Sequence, residues 1–156
     1  MQSEMTDRSV EHAKLTIERE HNASLAQVFA AWANEQAKKR WFADGQDWET
    51  LDYGLDFRVG GREHARSRYK GGPVSGNETV YLDIVPERRI IFVYTMSIDG
   101  TPISASLGTV ELLASGAGTK LIYTEQGAHL DGLDKPEMRR TGWAGLLDQL
   151  GAELAR

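Results

Sequence analysis

Cysteine is absent from the 156 residues, and with it go disulfides, a thiol nucleophile and every thiolate metal site. That absence fits a reducing compartment. No window comes near the roughly 18 consecutive apolar residues that a membrane-crossing helix needs. Residues 1–10 are polar, with Glu4, Asp7 and Arg8, and lack the apolar stretch of a secretory signal. A cytoplasmic placement with no membrane partner is expected, residues 1–12 forming a flexible N-terminal tail. An excess of basic charge is missing too. The formal net charge is −5, and an acidic surface repels phosphate backbones, so no nucleic-acid partner is expected.

Signatures of cofactor or catalytic chemistry are equally scarce. The four histidines, His12, His21, His64 and His129, show no ligand spacing. His129 with nearby Asp131 makes two ligands where zinc needs three or four, so neither a metal nor a cofactor is expected. No serine sits in a nucleophile elbow. Gly60-Gly61 leads into a strand pattern rather than a helix, so it is not a phosphate cradle. It serves instead to bend the chain between paired strands.

What is present reads as one domain over residues 13–156, with no repeat or linker. Hydrophobic residues make up 40% and charged residues 26%, a balance and length sufficient for a real core. Over residues 14–21, Leu15, Ile17, Arg19 and His21 fall on one face at period two, which predicts a strand. Ser24 reads as a helix N-cap. Val28 and Trp32 follow at helical spacing, and a second short helix is predicted over 34–41. Beyond Phe42, glycines punctuate short alternating segments in the rhythm of an antiparallel meander. Strands are predicted over 48–53, 57–69, 76–85, 89–96, 102–113 and 119–126, with Asp99-Gly100 supplying the positive φ of a tight hairpin.

The last element is a helix. Asp134 is placed to cap it, Pro136 suits its first turn, and Glu137 completes a capping box. Trp143, Leu146, Leu147, Leu150 and Leu154 then form one apolar stripe, and the sheet is the only partner large enough to cover it. The fold class is α+β: a curved antiparallel sheet of about seven strands around a long C-terminal helix, in the order β-α-α-β-β-β-β-β-β-α. A strongly twisted sheet with a helix in its concave side leaves space between them, where small-molecule sites occur.

Several motifs run with that order: Arg19 through Ala23, Trp32, Trp41-Phe42, the run from Phe57 to Arg62, the run from Ile84 to Ile90, Gly118-Thr119, and Gly142-Trp143 with Leu146-Leu147. In these the chain resembles the helix-grip superfamily of START-like and birch-allergen-like proteins, also called SRPBCC domains. Within it, the chain is similar to a bacterial family resembling the C-terminal domain of the activator of heat-shock protein 90 ATPase. The stretch from Thr124 to Gly132 is similar to one subgroup's signature, with His129 where an aromatic residue is usual. The resemblance implies the helix-grip fold and an internal pocket. It also implies that bulky apolar residues point inward at the positions held here by Glu63 and Ala65.

Period-two alternation then sorts the side chains. Glu63, Ala65, Ser67 and Tyr69 point into the pocket, and Arg62, His64, Arg66 and Arg68 form an outward basic ladder. Ser104 and Ser106 share the inner face of Val110 and Leu112, and Tyr123 brings Glu125 inward with it. Trp143 and Leu147 supply a wall, with Trp41, Phe42 and Trp48 at the mouth. Burial disfavours a carboxylate's charged form and suits it to proton transfer, so Glu125 is the candidate general acid or base. The alternative is a structural Glu125 paired with Arg19 or with a backbone N–H of the first strand. Whether Glu63 approaches it is left open. The basic ladder is either an anion site or a solvated face balanced by acids on adjacent strands.

The expected role is binding of a small, largely apolar ligand with a polar end, rather than catalysis. Two alternatives stand beside it: a cyclase- or hydrolase-like enzyme using Glu125, and a chaperone- or protein-interaction module. A homodimer through the sheet edges is compatible with all three.

Overall fold

Alternation builds seven strands, and the order expected from sequence is the order found. In the computed structural model, which describes residues 8–156, these are β1 (Val10–His21), β2 (Trp48–Leu55), β3 (Arg62–Tyr69), β4 (Val74–Val85), β5 (Arg89–Ile98), β6 (Thr101–Ser115) and β7 (Gly118–Leu130). They form one antiparallel sheet in the order β1-β7-β6-β5-β4-β3-β2. Every neighbour from β2 to β7 is reached by a hairpin, and Asp99 and Gly100 take the positive φ expected of their turn. β1 instead pairs with the last strand, setting Leu15 opposite Glu125 and Ile17 opposite Tyr123.

The return from β1 at one edge to β2 at the other is made by α1 (Leu25–Ala33), α2 (Glu35–Lys38) and a π-helical turn over Lys39–Ala43. Ser24 closes a reciprocal capping box at α1, its Oγ accepting from the Gln27 backbone N–H while Gln27 Oε1 accepts from the Ser24 N–H. α3 (Pro136–Leu154) lies in the concave face. It buries Trp143, Leu147 and Leu150 in one cluster with Leu15, Ile17, Leu112, Leu121 and Tyr123 of the sheet. Trp143 stacks on Tyr123 with ring centroids 4.1 Å apart.

Three local expectations are corrected. β1 starts at Val10, so residues 10–12 of the expected tail are already paired with β7, while residues 1–7 lie outside the described residues. Residues 57–61 are not strand. They form a turn in which Gly60 takes a φ of 83°, and its N–H donates to the Tyr81 carbonyl. The N-cap of α3 is Lys135, whose side chain caps nothing. Asp134 has turned inward to a buried guanidinium, a charge-assisted bond stronger than a surface cap.

His21 closes β1 at 9% exposure, with its ring beside Gly151 of α3 and no partner for its Nε2 among the described residues. Burial, helped by the charge of Arg19, lowers its pKa below the ordinary 6.5. The unfolded chain therefore takes up the proton first as pH falls, so this contribution to stability is full above about pH 6.5 and is lost below it. The urea midpoint is expected to drop between about pH 7 and pH 5, and to drop less in His21→Leu. Equal slopes in both proteins would remove His21 from the account.

Candidate functional site

Between the concave face and α3 lies a cavity of about 530 Å³, within the size range of small-molecule sites. Phe42, Trp48, Met96, Ile103, Trp143 and Leu146 supply its apolar wall. Ser67 of β3 and Ser75 and Asn77 of β4 line the sheet side, and Gln149 lies on the helix side. Gly142 and Gly145, also on α3, are exposed and line the cavity as well. A Cβ at either position would meet nothing within 4 Å, so packing does not demand glycine there. Each lowers helix propensity by about 1 kcal/mol relative to alanine.

The inner end of the cavity is closed by Arg139 and Asp134. Arg139 is 6% exposed and is the hub of a buried network. Its Nη1 donates to Glu125 Oε2 (3.2 Å), Tyr94 Oη (3.0 Å) and Ser106 Oγ (3.3 Å). Its Nη2 donates to Ser104 Oγ (2.7 Å) and to Asp134 Oδ2. The hydroxyls of Tyr94 and Tyr123 both donate to Glu125 Oε1, at 2.6 and 2.7 Å. Trp143 Nε1 donates to Tyr94 Oη, and His129 Nδ1 lies 2.9 Å from Asp134 Oδ2. Burial and the neighbouring Glu125 charge push both tyrosines above their ordinary pKa, so they remain donors. Burial works against the charge of Arg139, but Tyr94, Glu125 and Asp134 outweigh it and hold its pKa high.

A second network sits under α2. Lys38 Nζ, 2% exposed, donates to both oxygens of Glu63 at 2.9 and 3.0 Å. Tyr81 and Tyr53 donate to the same carboxylate at 2.7 and 2.6 Å. The ammonium also lies 4.3 Å from the centroid of the Phe42 ring. Burial lowers the Lys38 pKa against the opposing pull of Glu63. Burial and Glu63 together raise both tyrosines.

Of the residues that the sequence reading places at the pocket, Trp48, Ser67 and Trp143 line this cavity. Trp41 is not at the mouth. It is 1% exposed and donates from Nε1 to the Ala31 carbonyl. Leu147 is core at 0% exposure. Tyr69 is at the surface, 45% exposed, against Trp48. Glu63, Ser104, Ser106, Tyr123 and Glu125 do point inward, but lie behind the cavity within the two networks. Glu63 and Glu125 belong to separate networks, each with its own cation. Arg19 pairs with Asp148, not with Glu125. In the outward ladder, His64 meets Asp52 (3.1 Å) and Arg68 approaches Glu49 (3.9 Å) on β2, as a balanced, solvated face would.

Arg139 and Asp134 are the residues sequence reasoning missed. The signal for Arg139 was present, because residues 139, 143, 147, 150 and 154 continue the apolar stripe at helical spacing. Glu125 receives three donors, leaving little of its oxygen surface for a substrate proton. That arrangement favours the structural reading of this carboxylate.

A family model described as "Activator of Hsp90 ATPase homolog 1-like protein" matches residues 22–155. Among solved structures, an uncharacterised protein from Rhizobium leguminosarum is similar at 46% identity and a TM-score of 0.92, covering 96% of this chain and 98% of that one. Mll3558 from Rhizobium loti is 48% identical over 93% of this chain and 99% of its own, with a TM-score of 0.86. An AHSA1-like protein from Aeromonas hydrophila shares the fold at 22% identity, with a TM-score of 0.68 and 92% coverage of each chain. Comparison with curated proteins returns no match.

In Glu125→Gln the guanidinium of Arg139 keeps Asp134 as counter-charge, but the buried donors of Arg139, Tyr94 and Tyr123 lose their carboxylate acceptor, at about 1–3 kcal/mol for such buried groups. Glu125→Gln is therefore expected to lower unfolding stability by about 2 kcal/mol in a denaturant titration. A change below about 1 kcal/mol, the range of a surface pair, would contradict the structural role.

Proposed function

Since the chain belongs to the family of Activator of Hsp90 ATPase homolog 1-like proteins, we propose a role supported by its cavity: binding one small, largely apolar molecule with a polar end between the sheet and α3. The observation that carries this reading is the cavity itself. Its wall is largely aromatic and aliphatic, with a few polar groups: Ser67, Ser75 and Asn77 on the sheet, Thr141 and Gln149 on the helix, and Arg139 with Asp134 at one end. Burying apolar surface drives entry at about 25 cal/mol per Å², and the few polar groups fix orientation.

The helix glycines support the same reading. A helix selected only for stability would hold alanine at Gly142 and Gly145, since nothing obstructs a Cβ there. Retaining glycine at both sacrifices helix propensity to keep the mouth wide. Trp143 and Trp48 flank the space, so occupancy should alter their fluorescence.

The test uses N-phenyl-1-naphthylamine, a neutral apolar dye that brightens in dry surroundings. Wild-type protein is expected to bind it with saturation. Gly145→Leu, which projects a side chain into the mouth, should weaken binding at least about tenfold, or about 1.4 kcal/mol. Gly145→Ala should be more stable than wild type by about 0.5–1 kcal/mol. Equal binding by wild type and Gly145→Leu, or none by either, would overturn the reading.

A further inference from the structure

The sheet wall of the cavity carries uncharged polar groups side by side. Ser67 of β3 stands directly opposite Ser75 of β4, and Ala65 opposite Asn77. The pairing runs without a shift from Arg62 opposite Val80 to Arg68 opposite Val74. Ser67, Ser75 and Asn77 therefore share one face of the sheet, and all three line the cavity. Opposed residues lie about 4.5–5.5 Å apart at Cβ, and Ser75 and Asn77, two apart on one strand, about 7 Å. One head group placed among them reaches all three.

Their hydrogen-bonding capacity is largely unused. Neither serine hydroxyl has a partner among the described residues. Asn77 accepts from Thr79 Oγ1 through Oδ1 at 2.8 Å, and its Nδ2 has no acceptor among those residues. Water serves half-buried groups of this kind while a cavity stands open to solvent. An apolar body entering beside them displaces that water, and a polar group then left unpaired costs free energy. A ligand whose own polar group takes the place of the water avoids that cost.

Opposite charge is not available on this wall. The charged residues lining the cavity are Asp134 and Arg139, which pair with each other. In the row that holds Asn77, Met96 of β5 comes next and then Ser104 of β6, whose Oγ accepts from Arg139. Two strand spacings, about 10 Å, and the apolar Met96 thus lie between Asn77 and the serine that the guanidinium holds. Glu63, two residues from Ala65 on β3, is held by Lys38 and does not line the cavity. A charged head at this wall would lose water without gaining a counter-charge.

Taking the cavity as the binding site proposed above, we infer that Ser67, Ser75 and Asn77 form its head-group subsite, and that the ligand is an uncharged molecule, an apolar body ending in a hydroxyl or an amide. Asn77 Nδ2 donates to the head-group oxygen, and the serine hydroxyls donate to it or accept from it. Free carboxylates and protonated amines are poor occupants of the same subsite.

The experiment displaces N-phenyl-1-naphthylamine from the full chain at neutral pH with butylbenzene, phenylbutanol, phenylbutyrate and phenylbutylamine, which share one apolar tail. The alcohol is expected to act at a lower concentration than either ion. In Ser67→Ala/Ser75→Ala the dye should still bind, and the alcohol should weaken about tenfold, about 1.4 kcal/mol, while butylbenzene keeps its wild-type value. Asn77→Ala, made separately, should shift the same alcohol-to-hydrocarbon ratio in the same direction. A ratio unchanged in both variants, or either ion acting at a concentration equal to or below the alcohol's, would overturn the inference and leave the cavity as a binding site. A dye that never binds wild-type protein would overturn both.

Discussion

Arg139 reaches from the first turns of α3 to side chains of β5, β6 and β7, and the placement of the helix depends on that reach. Its guanidinium joins Glu125 and Asp134 with the hydroxyls of Tyr94, Ser104 and Ser106. A charge so deep is tolerated only when its donors and the opposing carboxylates are matched. Apolar packing by Trp143, Leu147 and Leu150 provides the adhesion of α3 to the sheet, but apolar surfaces slide. Directional bonds from one guanidinium to three strands fix where along the sheet the helix stops, and hence how wide the cavity remains.

The same device appears at the other helical contact. Glu63 is held by two tyrosines, Tyr53 and Tyr81, and one cation, Lys38. Glu125 is held by Tyr94, Tyr123 and Arg139. One cluster ties α2 and its π-turn to β2, β3 and β4, and the other ties α3 to the far strands. Buried polar clusters of this kind contribute more to uniqueness of packing than to net stability, since apolar replacements are often neutral. Between the two anchors the concave face is left uncovered, and there the cavity lies.

Much of the fold was legible because strand alternation and helical spacing are carried by single residues at fixed periods. Leu15 and Ile17, Leu121 and Tyr123, and Trp143 with Leu147 each declare a face without reference to distant neighbours. The site was less legible because its determinants are pairings across the sheet. Glu125 reads as inward, but nothing local says that its cation comes from α3 rather than from Arg19. Asp134 sits three residues before Glu137, as a capping residue would, and only the buried guanidinium explains why it turns away. Trp41 and Tyr69 were misplaced for a related reason. A π-turn rotates Trp41 into the core, and the end of β3 carries Tyr69 past the rim of the pocket.

The claim on which the rest stands is that Arg139 and Glu125 act as one unit in fixing α3. A double-mutant cycle with Glu125→Gln and Arg139→Met, followed by denaturant unfolding, measures that coupling directly. The account predicts that the double mutant is more stable than the sum of the single losses implies, by about 2 kcal/mol or more. Losses that simply add, within about 0.5 kcal/mol, would show two independent residues and contradict it.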